Sequence, residues 1–407
     1  MVFMTSENKF KENKFKENKF KENKFKENRY FSYNLGKLPA GCRFCVKGEK
    51  LVLFITGICP RSCYFCPVSD QKYQKDVVFA NEREVQGFSD VIKEAGAMDA
   101  KGAGITGGDP LSEIERTVEY IKKLKEHFGK EFHIHLYTSL NLVTKEVLQE
   151  LHDAGLDEIR FHLDLDSKVL WEKINLAQEF AWNAGAWDIG VEIPLIPNKE
   201  KEVKELIDFI HDKAKFLNLN ELEVADNEQS KLLQMGFQAK DEVSYAVKGS
   251  LKSGLSLIDY VEKKNYPLPV HLCTAKLKDV VQLGNRLKRE AKISRHKFDL
   301  VNSEGMLSRG ALYLKELAPG FGYREKLAKA NKEELIAKLK PKYAEIKKKL
   351  KLNDEEIIID YKKPRILLSK KNAKKYKKEF LKMELLPAVV SEYPTADQLE
   401  IEVEFLR

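Results

Sequence analysis

The chain has 407 residues, 43% of them hydrophobic and 33% charged, with a net charge of +8, which is enough for one large domain and a smaller one. Lysine-rich repeats at the N-terminus and the lack of any apolar run near ~18 residues point away from a signal peptide and a membrane partner, toward a cytoplasmic protein. Six cysteines are too few for a disulfide scaffold, and five of them fall between Cys42 and Cys66, which reads as metal or redox chemistry in a reducing compartment.

Residues 8 to 27 repeat NKFKE four times, and NRYFS resembles a fifth copy. A five-residue period matches neither a helix nor a strand, so residues 1–30 are expected to form a disordered, low-complexity tail. The next unit, 31–274, alternates short apolar runs with longer amphipathic ones. KLVLFIT (50–56), GAGIT (102–106), HIHLYT (133–138), EIRFHLD (158–164), DIGVEIPLI (188–196) and ELEVAD (221–226) read as strands. Between them EREVQGFSDVIKEAGAM, EIERTVEYIKKLKEHF, TKEVLQELHDAG, SKVLWEKINLAQEFAWNAG and KEVKELIDFIHDKAKFL carry helical periodicity. Six strands separated by helices predict an α/β fold, a partial parallel (β/α)6 barrel, because the two further units of a closed barrel are not evident.

Residues 227–274 are less regular, with a helix-like NEQSKLLQMGF and a stretch ending in LPVHLCTAK. The last unit, 275–407, has helical segments (KDVVQLGNRLKREAKI, KEELIAKLKPKYAEIKKKLK) and short runs (EIIIDY, RILLS, LEIEVEFL) that suggest a small basic α+β domain. Residues 275–382 hold about 31 Lys and Arg against about 14 Asp and Glu, whereas residues 30–274 come to about −8.

Directly after the first strand of the barrel stands ITGICPRSCYFCPVSD, with Cys59, Cys63 and Cys66 in a Cys-x3-Cys-x2-Cys spacing. In parallel β/α folds the functional loops sit at the carboxyl ends of the strands. An iron-sulfur cube has four irons, so three protein thiolates leave one iron open to another ligand, much as a catalytic zinc keeps a free position. A zinc site or inert buried thiols are the plainer readings of the same residues.

With Phe65 just before its last cysteine, this motif resembles the signature of the radical SAM superfamily, over roughly residues 48–226. The whole pattern looks most like an archaeal-type branch related to pyruvate formate-lyase activating enzymes. The resemblance implies a 4Fe-4S cluster on Cys59, Cys63 and Cys66, with S-adenosyl-L-methionine on the open iron. It also implies an electron donor such as ferredoxin or flavodoxin, and reductive cleavage to a 5′-deoxyadenosyl radical that abstracts hydrogen from a substrate, activation of a partner protein being one version. TGGDP at 106–110 falls where the family carries Gly-Gly-Glu-Pro, so Gly107, Gly108 and Asp109 become candidate cofactor contacts. Arg160, His162 and Asp164 alternate on one strand and would share a face. With Phe65 and Glu192 they complete the candidate cofactor set, beside a structural reading as a polar layer. No catalytic residue is assigned.

Cys42-x2-Cys45 precedes the barrel, and His271 and Cys273 stand far downstream. Together they supply four soft ligands for zinc or an auxiliary iron-sulfur cluster, with a redox pair or buried inert thiols as alternatives. In the basic unit, KKPRILLSKKNAKKYKKEF interleaves lysines with Tyr376 and Phe380, which suits RNA contact or a solvated face equally. The functional readings are thus a radical SAM enzyme of unassigned substrate, a tRNA- or RNA-modifying relative using the basic unit, and a non-catalytic zinc-binding module.

Overall fold

The computed structural model describes residues 25–407 except 185, 186 and 243. Most of the NKFKE repeat, with its expected disorder, therefore lies outside the described residues. In chain order the first layer runs β1 (Tyr33–Leu35), α1 (Ala40–Cys45), β2 (Lys50–Phe54), β3 (Phe79–Ala80), β4 (Arg83–Glu84), α2 (Phe88–Ala97), β5 (Gly102–Thr106), α3 (Ile114–Phe128), β6 (His133–Ser139), α4 (Lys145–Asp153) and β7 (Glu158–His162). It continues with α5 (Ile174–Ala184), β8 (Asp188–Leu195), α6 (Glu200–Ile210), β9 (Phe216–Glu221), β10 (Ala239–Asp241), β11 (Ser244–Val247), α7 (Ser250–Lys263), β12 (Val270–Cys273) and α8 (Gly284–Ser294).

Apart from β10 and β11, which pair antiparallel in a two-stranded sheet of their own, these strands form one open sheet in the order β1-β12-β9-β8-β7-β6-β5-β2-β3-β4. From β12 to β2 every neighbouring pair is parallel, while β1 and the β3–β4 hairpin add antiparallel edges. The sheet is thus a partial barrel, with a seventh parallel strand, VHLC of β12, beyond the six expected. The sixth runs over Phe216–Glu221 and not over ELEVAD (221–226), because the alternation FLNLN, whose first residues were expected to end the preceding helix, is what pairs with β8. Two expected helical stretches differ as well. Arg83 and Glu84 of EREV belong to the hairpin, turned at Asn81 with φ 50°. NEQSKLLQMGF makes turns and no helix: Leu232 is buried while Leu233 and Met235 are exposed, so it carries no apolar stripe.

Strand periodicity sorts the side chains. Ile134, Leu136, Ile159, Phe161, Val191, Ile193, Leu217 and Leu219 are fully buried against the helices. Their neighbours His135, Tyr137, Arg160, Glu192 and Asn218 take the opposite, concave face. Register makes that face a continuous polar row, since Tyr137 lies beside Arg160, Glu192 beside Asn218, and Asn218 beside His271.

Helix α1 stops the N-terminal end of the barrel. The Gly41 N–H donates to Glu158 Oε2 at 3.0 Å. A Cβ at Gly41 would crowd the ends of the Arg160, His135 and Glu158 side chains, 2.8 Å from His135 Nδ1 and 2.9 Å from Glu158 Oε1, so a larger residue would have to push this buried polar row aside. At the other end, residues 222–248, including β10 and β11, form a strap against the cysteine loop: Leu222, Leu232 and Val247 pack with Tyr64 and Phe65.

The second layer comprises β13 (Leu300–Val301), β14 (Leu307–Leu314), α9 (Tyr323–Lys329), α10 (Lys332–Leu350), β15 (Ile357–Asp360), β16 (Arg365–Leu368), α11 (Lys370–Lys375), α12 (Lys377–Lys382), β17 (Leu385–Glu392) and β18 (Glu400–Phe405). Its antiparallel sheet has the order β15-β16-β14-β17-β18, with β13 on β14, and residues of α9, α10 and α12 share its apolar core. The Asn331 side chain caps α10 by accepting from the Glu334 N–H at 3.3 Å. The other face buries Arg309 and Arg365 with Asp299, Asp360 and Glu392.

Helix α8 packs on α2, so residues up to Ser294, which the charge pattern assigns to the basic unit, lie against the barrel. Arg289 of α8 donates to the Met98 carbonyl at 2.8 Å and pairs with Glu49 and Asp99, all at the N-terminal ends of β2 and β5. Among the described residues no helix is long and apolar enough to cross a membrane.

Candidate active site

The cysteine loop continues from β2 and is zipped to the TGGDP loop that follows β5. The Gly108 N–H donates to the Thr56 carbonyl at 2.7 Å and the Asp109 N–H to the Ile58 carbonyl at 2.8 Å. A Cβ on Gly107 would lie 2.5 Å from the Thr56 carbonyl oxygen, and one on Gly108 2.3 Å from that of Ile58. Both contacts are with backbone, which cannot swing away, so the two glycines are what lets the loops meet.

Cys59, Cys63 and Cys66 are all free and line one cavity of about 680 Å³ at the C-terminal end of the barrel. Burial pushes the Cys59 thiol up to about 11 against the Arg61 N–H, which donates to its Sγ at 3.4 Å. Burial likewise raises Cys63, opposed by the Arg61 charge, and Cys66, opposed by a hydrogen bond from the Val68 N–H. Each sulfur thus has a nearby donor or cation that favours the thiolate a metal requires.

Among the described residues no three His, Cys, Asp or Glu side chains stand close enough to share one metal ion. A single zinc holds every ligand within about 2.3 Å of one centre, while a four-iron cube takes each thiolate on a different iron. Three free thiols on one cavity are the donor set that a four-iron cube takes with one iron left open.

Phe65 stacks on His162 with ring centroids 5.8 Å apart. Arg61 fixes that wall by donating to the His162 carbonyl at 3.1 Å and pairing with Asp164 at 3.0 Å. Asp164 stands beyond the end of β7 and lines a side recess of about 250 Å³ with Arg61, Cys63 and Phe65. Arg160, 2% exposed, donates to Glu192 Oε2 at 2.7 Å and to the Tyr137 hydroxyl at 3.1 Å, and also pairs with Glu158. Glu192 accepts from Asn218 and Asn220, both at 2.8 Å. Burial alone would raise its carboxyl, but Arg160 and the two amides outweigh it and hold Glu192 below the usual range.

Asp109, expected among the cofactor contacts, has its carboxylate occupied within the chain. It accepts from the Leu111 N–H at 3.1 Å, the Thr138 hydroxyl at 2.7 Å and the Ser139 hydroxyl at 2.7 Å, and it is 1% exposed. It acts as a brace between the TGGDP loop and the end of β6. Lys72, Tyr73, Asn220, Glu223 and Lys278 complete the cavity's rim and are absent from the sequence-derived set, Lys278 being ion-paired to Glu223. Only Arg61 among the additions carries a local signal, its place inside the cysteine motif.

Cys42, Cys45, His271 and Cys273 come to the opposite end of the concave face, around α1. They are not drawn round a single ion. Cys42 Sγ instead accepts from Asn218 Nδ2 at 3.4 Å and Arg160 Nη2 at 3.6 Å, and burial pushes its thiol up to about 12. Both ring nitrogens of His271 are buried without a partner. His133 and His135 line the same floor, His133 bonded to the buried Lys50 and His135 to Tyr137.

Residues 53–210 match the family described as the radical SAM superfamily. A protein of Methanocaldococcus jannaschii, provisionally named a glycyl-radical enzyme activating enzyme, is 38% identical over 392 residues, spanning 92% of this chain and 94% of that one. A GTP 3′,8-cyclase of Staphylococcus aureus is 34% identical over 128 residues, covering 31% of this chain and 36% of that protein. Among solved structures, methylornithine synthase aligns over 56% of this chain and 74% of its own, with 15% identity and a TM-score of 0.35.

Proposed function

The chain belongs to the radical SAM superfamily, and from that premise we propose that it is an activating enzyme that installs a glycyl radical in a partner protein. Membership sets aside the reading as a non-catalytic zinc module. The 38% identity to a relative carrying that provisional name, over nearly the full length of both chains, is the observation that carries the proposal.

In this reading Cys59, Cys63 and Cys66 hold a 4Fe-4S cluster. The cluster and S-adenosylmethionine, when bound, supply a one-electron reductive cleavage into methionine and a 5′-deoxyadenosyl radical, which takes a hydrogen atom from the substrate. The chain's residues do the positioning. Gly107 and Gly108 let their loop lie against the cysteine loop at the cavity, Phe65 and His162 offer a flat wall, and Arg160 with Glu192 gives one end a fixed charge pair. The ion-paired Lys278 and Glu223, with Asn220 bonded to Glu192, form the rim that an incoming polypeptide would meet.

RNA modification through the basic unit has no comparable support. Its helices follow α8, which is anchored at the N-terminal ends of β2 and β5, away from the cavity.

The test is anaerobic. Reconstituted protein is expected to bind about 4 iron per chain and to form 5′-deoxyadenosine on reduction. With a co-purified glycyl-radical enzyme it should give a protein-centred doublet in electron paramagnetic resonance. Deoxyadenosine without the doublet would overturn the choice of substrate. Failure to form deoxyadenosine, or its survival in Cys59→Ala, Cys63→Ala or Cys66→Ala, would overturn the site.

A further inference from the structure

The strap formed by residues 222–248 reaches the cysteine loop through one side chain whose polar atoms are all engaged. Asn227 Nδ2 donates to the Cys66 carbonyl at 3.1 Å and to the Val68 carbonyl at 2.9 Å, and its Oδ1 accepts from the Ser230 N–H at 2.8 Å. Two main-chain contacts flank it: the Lys231 N–H donates to the Tyr64 carbonyl at 2.7 Å, and the Glu228 N–H to Asp70 Oδ1 at 3.0 Å.

We propose that Asn227 is a positioning residue for the cluster: by pinning the carbonyls of Cys66 and Val68 it fixes the Val68 N–H, the first main-chain donor after the ligand, and so sets the potential of the metal centre. The inference rests on reading Cys66 as a cluster ligand.

The carbonyls held by Asn227 belong to the ligand itself and to the residue two further on, and because Pro67 has no N–H, the Val68 N–H between them is the first main-chain donor after Cys66. Fixing both carbonyls fixes the orientation of the intervening peptides. Hydrogen bonds to cluster sulfurs favour the reduced, more negative state and raise the reduction potential. A side-chain amide is suited to this place because one nitrogen offers two N–H groups to two carbonyls. Aspartate would present an anion to two carbonyl oxygens and lose both donors.

The experiment compares full-length wild type, Asn227→Ala, Asn227→Asp and Leu232→Ala after anaerobic reconstitution, by iron content and by redox titration followed in electron paramagnetic resonance. Asn227→Ala is expected to lower the midpoint potential, and Asn227→Asp to lower it further or lose iron. Leu232→Ala loosens the strap's packing without touching residues 66–68, so it should lower thermal stability and leave the potential in place. A wild-type potential and iron content in both Asn227 variants would overturn the proposal, as would an equal shift in Leu232→Ala. A wild-type chain that holds no cluster would instead overturn the assignment of Cys66, which keeps the two failures apart.

Discussion

Arg160 and Glu192, on adjacent strands of the barrel, are joined by a 2.7 Å charged hydrogen bond, with Arg160 almost wholly buried and Glu192 open to the cavity. Glu192 is also the acceptor for Asn218 and Asn220, so one carboxylate satisfies three donors. Its loss leaves buried groups without partners, which costs more than the pair itself contributes.

Glu192→Ala should therefore destabilise the barrel by about 3 kcal/mol, with Glu192→Gln nearer to wild type because an amide still accepts one bond. Urea unfolding followed by tryptophan fluorescence reports on this directly, since all three tryptophans lie in the barrel segment. Equal stability of the alanine variant and wild type would show that Arg160 is fully compensated by Glu158.

Gly108→Ala puts a methyl 2.3 Å from a carbonyl oxygen that is itself part of the cysteine loop. The two loops must separate, and the expected result is at least about a tenfold loss of S-adenosylmethionine affinity, the equivalent of roughly 1.4 kcal/mol. Equilibrium dialysis with the reconstituted protein measures it. Unchanged affinity would mean that the loops are not held as described.

Asp109→Glu restores the residue found in the wider family, yet the slot here is closed, with the aspartate 1% exposed and bonded to Leu111, Thr138 and Ser139. The extra methylene should cost about 1–3 kcal/mol through overpacking. A thermal midpoint equal to that of wild type would argue that the slot opens readily.

His271 gives a pH dependence with a definite sign. Burial lowers its imidazole from 6.5 to about 4, so the folded state binds fewer protons than the unfolded chain between those values. The stabilisation is complete above pH 6.5 and is lost as the pH falls toward 4, on the order of 3 kcal/mol in all. Because neither ring nitrogen has a partner, His271→Leu should be neutral or stabilising at pH 7 and should flatten this acid limb. Thermal midpoints at pH 7 and pH 5 decide it, and marked destabilisation at pH 7 would show that a ring nitrogen is bonded.

Much of the site is legible because its parts are local. Cys59, Cys63, Cys66, Gly107 and Gly108 lie in short runs right after strands, and the alternation of Arg160 and His162 follows from strand periodicity alone. Four-residue β12 was obscured by its own polar residues, His271 and Cys273, which face the barrel interior and break the apolar run a strand search looks for. The strap is illegible for a different reason. Asn227 and Cys66 are 161 positions apart, and an isolated asparagine in a turn-rich stretch has no periodicity to mark it. The role of Asp109 also needed coordinates, since the same carboxylate can serve a ligand or a neighbouring strand.

Helix α1, pressed into the far end of the barrel with Gly41 against Arg160, His135 and Glu158, leaves the cavity among the described residues opening at the cysteine-loop end. Whatever enters first is covered by whatever enters second. With a polypeptide as the proposed substrate, a small nucleoside would have to be seated before it arrives, and its fragments would wait for that polypeptide to leave. On the proposed reading turnover would follow a queue, and a tightly bound partner protein would slow release of the spent nucleoside while leaving the radical step itself unaffected.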